Sequence, residues 1–146
     1  MLEGAEISNN KGLGIKVNNG ALLTMEGGKI SGNTGTGVEV KGKTDKKGAT
    51  FIMNGGEISG NGSYGISYAN AGESVVELNG GTVFENGSGA QISVIGGSSN
   101  DKNEFIHIKP GTLAGNREIY LSAGTMTLDE DYQEVWLGKA KSDAVR

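Results

Sequence analysis

The chain has no cysteine, one proline, one histidine and one tryptophan in its 146 residues, and aromatics make up only 5%. Without cysteine there is no disulfide and no thiolate for metal binding or nucleophilic attack, and the redox compartment is left open. The lone histidine, His107, falls at the middle of Ile106-His107-Ile108, the outward position of a strand. With no second histidine or cysteine to share a metal, it reads as a surface residue. Arginine occurs only as Arg117 and Arg146. The net charge is −4, so no basic footprint for nucleic acid is expected. No apolar run approaches the roughly 20 residues of a membrane-spanning helix. The opening MLEGAEI has neither the basic nor the apolar region of a signal peptide.

Glycine, by contrast, is abundant at 27 residues, far above a usual share of about 7%. Such a composition would suit a disordered linker, but a linker has no reason to keep a hydrophobic register, and this chain does. The segment Phe51 to Tyr68, FIMNGGEISGNGSYGISY, shows the unit. Phe51 and Met53 form an apolar-x-apolar pair, Gly55 and Gly56 precede a lone Ile58, Asn61 follows, and Ile66 and Tyr68 make a second pair. Leu23 to Val40 repeats this order, as do Val76 to Val94 and Ile106 to Leu121, and the chain begins within a partial copy from Gly4 to Val17.

The spacing is the strongest signal. From the second apolar residue to the lone one (25 to 30, 53 to 58, 78 to 83, 108 to 113) the step is five, and from the lone residue to the asparagine it is three. The full period varies, at 23, 28, 25 and 30 residues between Ile7, Ile30, Ile58, Val83 and Leu113. A constant half and an elastic half describe a packed rung with insertions at one corner. Apolar-x-apolar is the period of a strand, and paired glycines would weaken a helix while permitting the positive-φ corners that a coil of short strands needs. The expected fold is all-β: a right-handed parallel β-helix of five to six rungs, three short strands per rung, its hand following strand twist. Rungs are expected over 1–121, with a shortened terminal rung or cap and a polar tail over 122–146.

Equivalent residues of successive rungs would lie about 4.8 Å apart. Asparagine carries both donor and acceptor, so Asn10, Asn33, Asn61, Asn86 and Asn116 are expected to form a ladder rather than five unrelated turns. Asparagine also tolerates the left-handed conformation that a corner requires.

The strings GGKISGN and GGEISGN, followed by GVEV or YGISY, resemble the right-handed parallel β-helix repeats of large bacterial cell-surface proteins, including adhesin-like and polymorphic-outer-membrane-protein-like passengers. The resemblance spans Gly4 to Leu121. It implies an extracellular or cell-surface location and a structural or adhesive role, in a chain cut from a longer solenoid. The same fold also carries polysaccharide lyases and hydrolases, so fold alone does not decide function.

The residues give little support to catalysis. A lyase would need clustered carboxylates for calcium and a basic residue, and a glycosidase a carboxylate pair across one groove. Glu26, Glu39, Glu57, Glu77 and Glu85 share no single outward column. Asp129, Glu130, Asp131 and Glu134 lack the spacing of a calcium loop and read as a solvated turn. No cofactor is expected. Tyr120 and Trp136 both occupy the outward position of an apolar-x-apolar pair, and would form an aromatic platform for a sugar ring if the last rung is in register. The elastic corner, with loops at Asn18 to Leu22, Lys41 to Thr50, Ala69 to Val75 and Ile95 to Phe105, is the other candidate for recognition of a glycan or protein. An open first rung also allows end-to-end self-association. The expected function is a non-catalytic β-helix segment presenting loops and one face. The alternatives are a carbohydrate-binding module and a relative of the β-helix lyases or hydrolases.

Overall fold

The computed structural model describes residues 1–42, 48–69, 74–87, 91–95, 104–108, 112, 119–121 and 125–128. Within them lie fourteen strands: β1 (Glu6–Ser8), β2 (Ile15–Asn18), β3 (Leu22–Met25), β4 (Lys29–Ser31), β5 (Val38–Lys41), β6 (Thr50–Met53), β7 (Glu57–Ser59), β8 (Ile66–Ala69), β9 (Val75–Leu78), β10 (Thr82–Phe84), β11 (Ile92–Ile95), β12 (Glu104–Ile108), β13 (Ile119–Leu121) and β14 (Thr125–Leu128). Through β12 every third strand returns to the same sheet, after which β13 joins β11 and β14 joins β12. The first sheet runs β1-β4-β7-β10, the second β2-β5-β8-β11-β13 and the third β3-β6-β9-β12-β14. All pairings are parallel, so the chain is a coil of three-strand turns.

The invariant spacings of the sequence become invariant register. Ile7, Ile30, Ile58 and Val83 lie opposite one another in the first sheet. Ile15, Val38, Ile66 and Ile92 do so in the second, and Met25, Met53 and Leu78 in the third. Because side chains alternate across a strand, each apolar-x-apolar pair sends both apolar residues inward and the middle one out. From Met25 to Leu78 every such inward residue is fully buried, and these columns form one continuous core. Equal layers stacked on equal layers explain why a chain with few aromatics can still fill its interior.

The corners differ in tolerance. The third sheet passes to the first through three-residue connections at 26–28, 54–56 and 79–81. The second glycine of each pair, Gly28, Gly56 and Gly81, turns this corner at φ of 86°, 93° and 83°. A side chain there would be strained by its φ. The second sheet passes to the third through 19–21, 42–49, 70–74, 96–103 and 122–124, so the widest variation in length falls at this corner, while the passage from the first sheet to the second takes six residues at 9–14, 32–37 and 60–65 and seven at 85–91. On its inner side, the Tyr68 hydroxyl donates to the Ser74 carbonyl at 2.6 Å, and the Ala49 amide donates to Ser74 Oγ at 2.9 Å. Tyr68 is fully buried, and that burial pushes its phenol well above the ordinary range. It therefore stays neutral and serves as a donor.

Beyond β12 the first sheet goes on through a bond from the Val83 amide to the Thr112 carbonyl at 3.1 Å. Met126 and Leu128 lie on β14, paired to β12.

Candidate functional site

The most developed internal constellation is the corner between the first and second sheets. The residue preceding each ladder position turns the chain: Asn9, Gly32, Gly60 and Glu85 have φ of 56°, 62°, 60° and 50°. The described ladder asparagines, Asn10, Asn33, Asn61 and Asn86, are not themselves left-handed, so the tolerance of asparagine for that conformation is not used at these positions.

The bonds form a regular series. Asn10 donates through its backbone N and Nδ2 to Asn33 Oδ1 at 3.1 and 2.8 Å. Asn33 does the same to Asn61 Oδ1 at 3.2 and 2.9 Å, and Asn61 to Asn86 Oδ1 at 3.1 and 2.8 Å. The second Nδ2 hydrogen reaches back to a carbonyl of the turn before: Asn33 to Ile7, Asn61 to Ile30 and Asn86 to Ile58, at 3.2, 3.1 and 3.0 Å. Buried amides are costly to leave unpaired, and here both amide hydrogens and the carbonyl oxygen are used. Asn33, Asn61 and Asn86 are accordingly buried without penalty.

Two features of this corner escaped the sequence reading. The first is a column of close approach. A Cβ on Gly37 would lie 2.7 Å from the Gly65 carbonyl oxygen, 2.8 Å from Asn61 Nδ2 and 2.8 Å from Ile58 Cγ2. Gly14 and Gly65 are similarly placed against Asn33 and Asn86. Each ladder carboxamide thus occupies the space a side chain would take in the turn before. The recurring Asn-x-x-x-Gly at 10–14, 33–37 and 61–65 is the signal that could have found it.

The second is Gln91. Its backbone is in register with Gly37 and Gly65, because Val38 donates to the Gly65 carbonyl and Ile66 to the Gln91 carbonyl, both at 2.9 Å. Where the earlier turns have glycine, Gln91 sends a buried side chain toward the ladder, and its Oε1 accepts from Asn86 N and Nδ2 at 3.1 and 2.8 Å. These are the same distances as in the Asn61–Asn86 link. A carboxamide of the same turn thus plays the acceptor expected from the turn below. Asn116 lies outside the described residues.

The outer faces carry cross-turn polar pairs. Lys16 Nζ meets Glu39 Oε1 at 2.9 Å across β2 and β5, and Lys29 Nζ meets Glu57 Oε1 at 2.8 Å across β4 and β7. The hydrogen bond from Lys29, with a further one from Ser59 Oγ, holds the Glu57 carboxyl below the ordinary range. The hydrogen bond and charge of Glu57 raise Lys29. A second, exposed amide stack links Asn79 Nδ2 to Asn54 Oδ1 at 3.0 Å and Asn54 Nδ2 to Glu26 Oε1 at 2.9 Å. Glu39 and Glu77 stand on the outer sides of different sheets. Among the described residues, no three of His, Asp and Glu come together in a way that could hold a metal ion.

Of the expected aromatic pair, only Tyr120 falls among the described residues. Tyr120 stands on β13 opposite Ser93, and Trp136 lies outside them, as do Asp129, Glu130, Asp131 and Glu134. Ser93 is fully buried although its position is an outer one, and its Oγ has no partner among the described residues.

A coil of parallel strands around stacked apolar columns, with an amide ladder at one corner, is a parallel β-solenoid. Residues 1–113 match the family described as right-handed β-helix region, and the chain belongs to that family. No curated protein and no solved structure matches the chain significantly.

Proposed function

We propose that this chain is a non-catalytic length of β-helix from a bacterial surface protein, a stalk or adhesive passenger that carries binding loops on a stiff axis. The observation that carries the reading is where variation is permitted. The long insertions share one corner, 42–49, 70–74 and 96–103, while the corner from the third sheet to the first keeps three residues at 26–28, 54–56 and 79–81 and the corner from the first sheet to the second changes by one residue between 60–65 and 85–91. Loops on a regular scaffold are where recognition evolves most freely. Stiffness comes from the ladder and the core, both continuous from turn to turn. The cell-surface setting rests on the likeness of the GGxISGN repeats to surface passengers.

The test is a binding screen on glycan and host-protein arrays. The full chain is compared with a variant in which 42–49 and 70–74 are each replaced by the short Asn19-Gly20-Ala21 connection. Binding by the full chain that the short-corner variant loses supports presentation by this corner. Release of oligosaccharides from a polysaccharide panel would overturn the non-catalytic reading, and equal binding by both proteins would move recognition to a sheet face.

A further inference from the structure

Asparagine followed by glycine is the pair whose backbone most readily attacks its own side chain, because glycine carries nothing that hinders the approach. The chain has five such pairs, Asn19-Gly20, Asn54-Gly55, Asn61-Gly62, Asn79-Gly80 and Asn86-Gly87, all among the described residues. The attack needs two freedoms: a glycine amide that can give up its proton, and a carboxamide that can swing toward it. Four of the pairs lack both. The Gly62 and Gly87 amides donate to the Asn33 and Asn61 carbonyls one turn back, at 2.7 and 2.6 Å. The Gly55 and Gly80 amides donate to Met25 and Met53, also one turn back, at 3.3 and 3.1 Å. The carboxamides of Asn61 and Asn86 are fixed in the buried ladder. Those of Asn54 and Asn79 are held in the outer stack that ends on Glu26.

Asn19-Gly20 differs on each count. It forms the tip of the three-residue connection from β2 to β3, with Asn19 at φ 51° and Gly20 at φ 82°. The Ala21 amide donates to the Asn18 carbonyl at 3.0 Å and closes the turn. Two left-handed residues within such a bond make a type I′ turn. That bond uses neither the Gly20 amide nor the Asn19 carboxamide. Both residues are exposed, and neither group has a hydrogen bond among the described residues.

We propose that Asn19 is a modification site, the one Asn-Gly pair that the folded chain leaves free to convert spontaneously to isoaspartate and aspartate. Gly20 N loses its proton to solvent base and attacks Asn19 Cγ. The Cγ–Nδ2 bond breaks, ammonia leaves, and a five-membered succinimide remains. Water then adds to one of the two ring carbonyls and breaks that carbon's bond to the Gly20 nitrogen. Opening at Cγ gives aspartate. Opening at the main-chain carbon gives isoaspartate, in which the chain runs through Cγ and gains one methylene. Either product adds a carboxylate to the corner. The corner absorbs the longer product, since it already takes three residues at 19–21 and eight at 42–49 while β2 and β3 keep their pairings with β5 and β6. In the ladder the same change would set a carboxylate among buried acceptors, so the bonds that hold the ladder also preserve its chemistry. The assignment is independent of what the corner binds.

The test ages the full folded chain at physiological temperature and pH in heavy-oxygen water and maps the label by peptide mass spectrometry. Asn19 should take up label at least about tenfold faster than Asn54, Asn61, Asn79 or Asn86, because each of those must first open a hydrogen-bonded segment. In concentrated urea all five should react at comparable rates. Labelled methyl from S-adenosylmethionine, transferred by an isoaspartyl carboxyl methyltransferase used as a probe, should fall on the Asn19 peptide. It should vanish in Asn19→Gly, which suits the positive φ of the turn. Any of the other four pairs keeping pace with Asn19 in the folded chain would overturn the assignment, as would methyl uptake that survives Asn19→Gly. So would the same order of rates in urea, which would make the difference a property of local sequence and not of the fold.

Discussion

Replacing Asn61 by alanine removes the middle of the ladder, and the structure allows the cost to be worked group by group. Asn61 Oδ1 is the acceptor for both Asn33 N and Asn33 Nδ2. Its Nδ2 supplies Asn86 Oδ1 and the Ile30 carbonyl. Alanine leaves the buried Asn33 amide without an acceptor, although Asn33 Nδ2 retains Ile7 and Asn86 Oδ1 retains the backbone of residue 61. One fully orphaned buried donor and several weakened groups cost about 2–4 kcal/mol. With an ordinary urea dependence this lowers the midpoint by about 1–2 M, read by the strand band in circular dichroism. Asn61→Asp refines the test. Its carboxylate still accepts from Asn33 but faces Asn86 Oδ1 and the Ile30 carbonyl with oxygen instead of N–H. It should be at least as damaging near neutrality and recover partly in acid, where protonation restores one donor. Asn10→Ala, at the exposed end, should cost less than about 1 kcal/mol. An Asn61→Ala midpoint equal to that of the parent, or equal losses at Asn10 and Asn61, would refute the ladder as a source of stability.

Four further outcomes are expected in the same assay. Gly37→Ala forces a methyl against the Gly65 carbonyl and the Asn61 carboxamide and should cost about 1–3 kcal/mol or more. Gly60→Ala meets only the Gly32 backbone nitrogen at an ordinary 3.9 Å and bears chiefly its positive φ, about 1–2 kcal/mol, so a Gly60 loss exceeding that of Gly37 would contradict the close-approach argument. Glu85→Gly relieves a left-handed non-glycine residue at φ 50° and should raise the midpoint by the equivalent of up to about 1 kcal/mol; a lower midpoint would show that its side chain matters more than its backbone. The Lys29–Glu57 pair should give a weak pH dependence at both extremes. Glu57 is held low, so its contribution is present above the ordinary glutamate pKa of about 4.3 and fades as pH falls through the depressed value. Lys29 is held high, so its share is present below the ordinary lysine value and fades in strong base. Lys29→Met should flatten the acid limb of midpoint against pH, and an unchanged limb would show that the pair does not contribute.

The repeating architecture was legible because it is written in spacing, and spacing survives changes of residue type. Ile30, Ile58 and Val83 differ in shape but share a phase, and that phase is what places them in one column. The ladder was legible for the same reason. The left-handed residue was not, because its position is filled by Asn9, Gly32, Gly60 and Glu85, whose common property is a backbone angle. Gln91 was hidden because its partner, Asn86, lies in the same turn, where a search for equivalences between turns does not look. Tyr68 read as one more apolar residue, yet its hydroxyl ties the variable corner to the core through Ser74. The Lys16–Glu39 and Lys29–Glu57 pairs join residues 23 and 28 positions apart, so they need the register before they can be seen. The binding role stays less legible than the fold, since the loops that would carry it differ in both sequence and length.

The bond between Asn86 and Gln91 also bears on how such a rod would yield when pulled from its two ends. Tension along the axis peels a coil one turn at a time, and each freed turn of 23 to 30 residues releases roughly 75–110 Å of chain. Above Gln91, detaching a turn must break an amide link as well as its strand bonds. At Gln91 donor and acceptor belong to the same turn, so this bond does not itself tie one turn to the next, and among the described residues the junction below is held by the Val83–Thr112 bond and the β11–β13 and β12–β14 pairings. In a force trace each turn that carries such an amide link should therefore yield in one step, its ladder bonds and strand bonds breaking together.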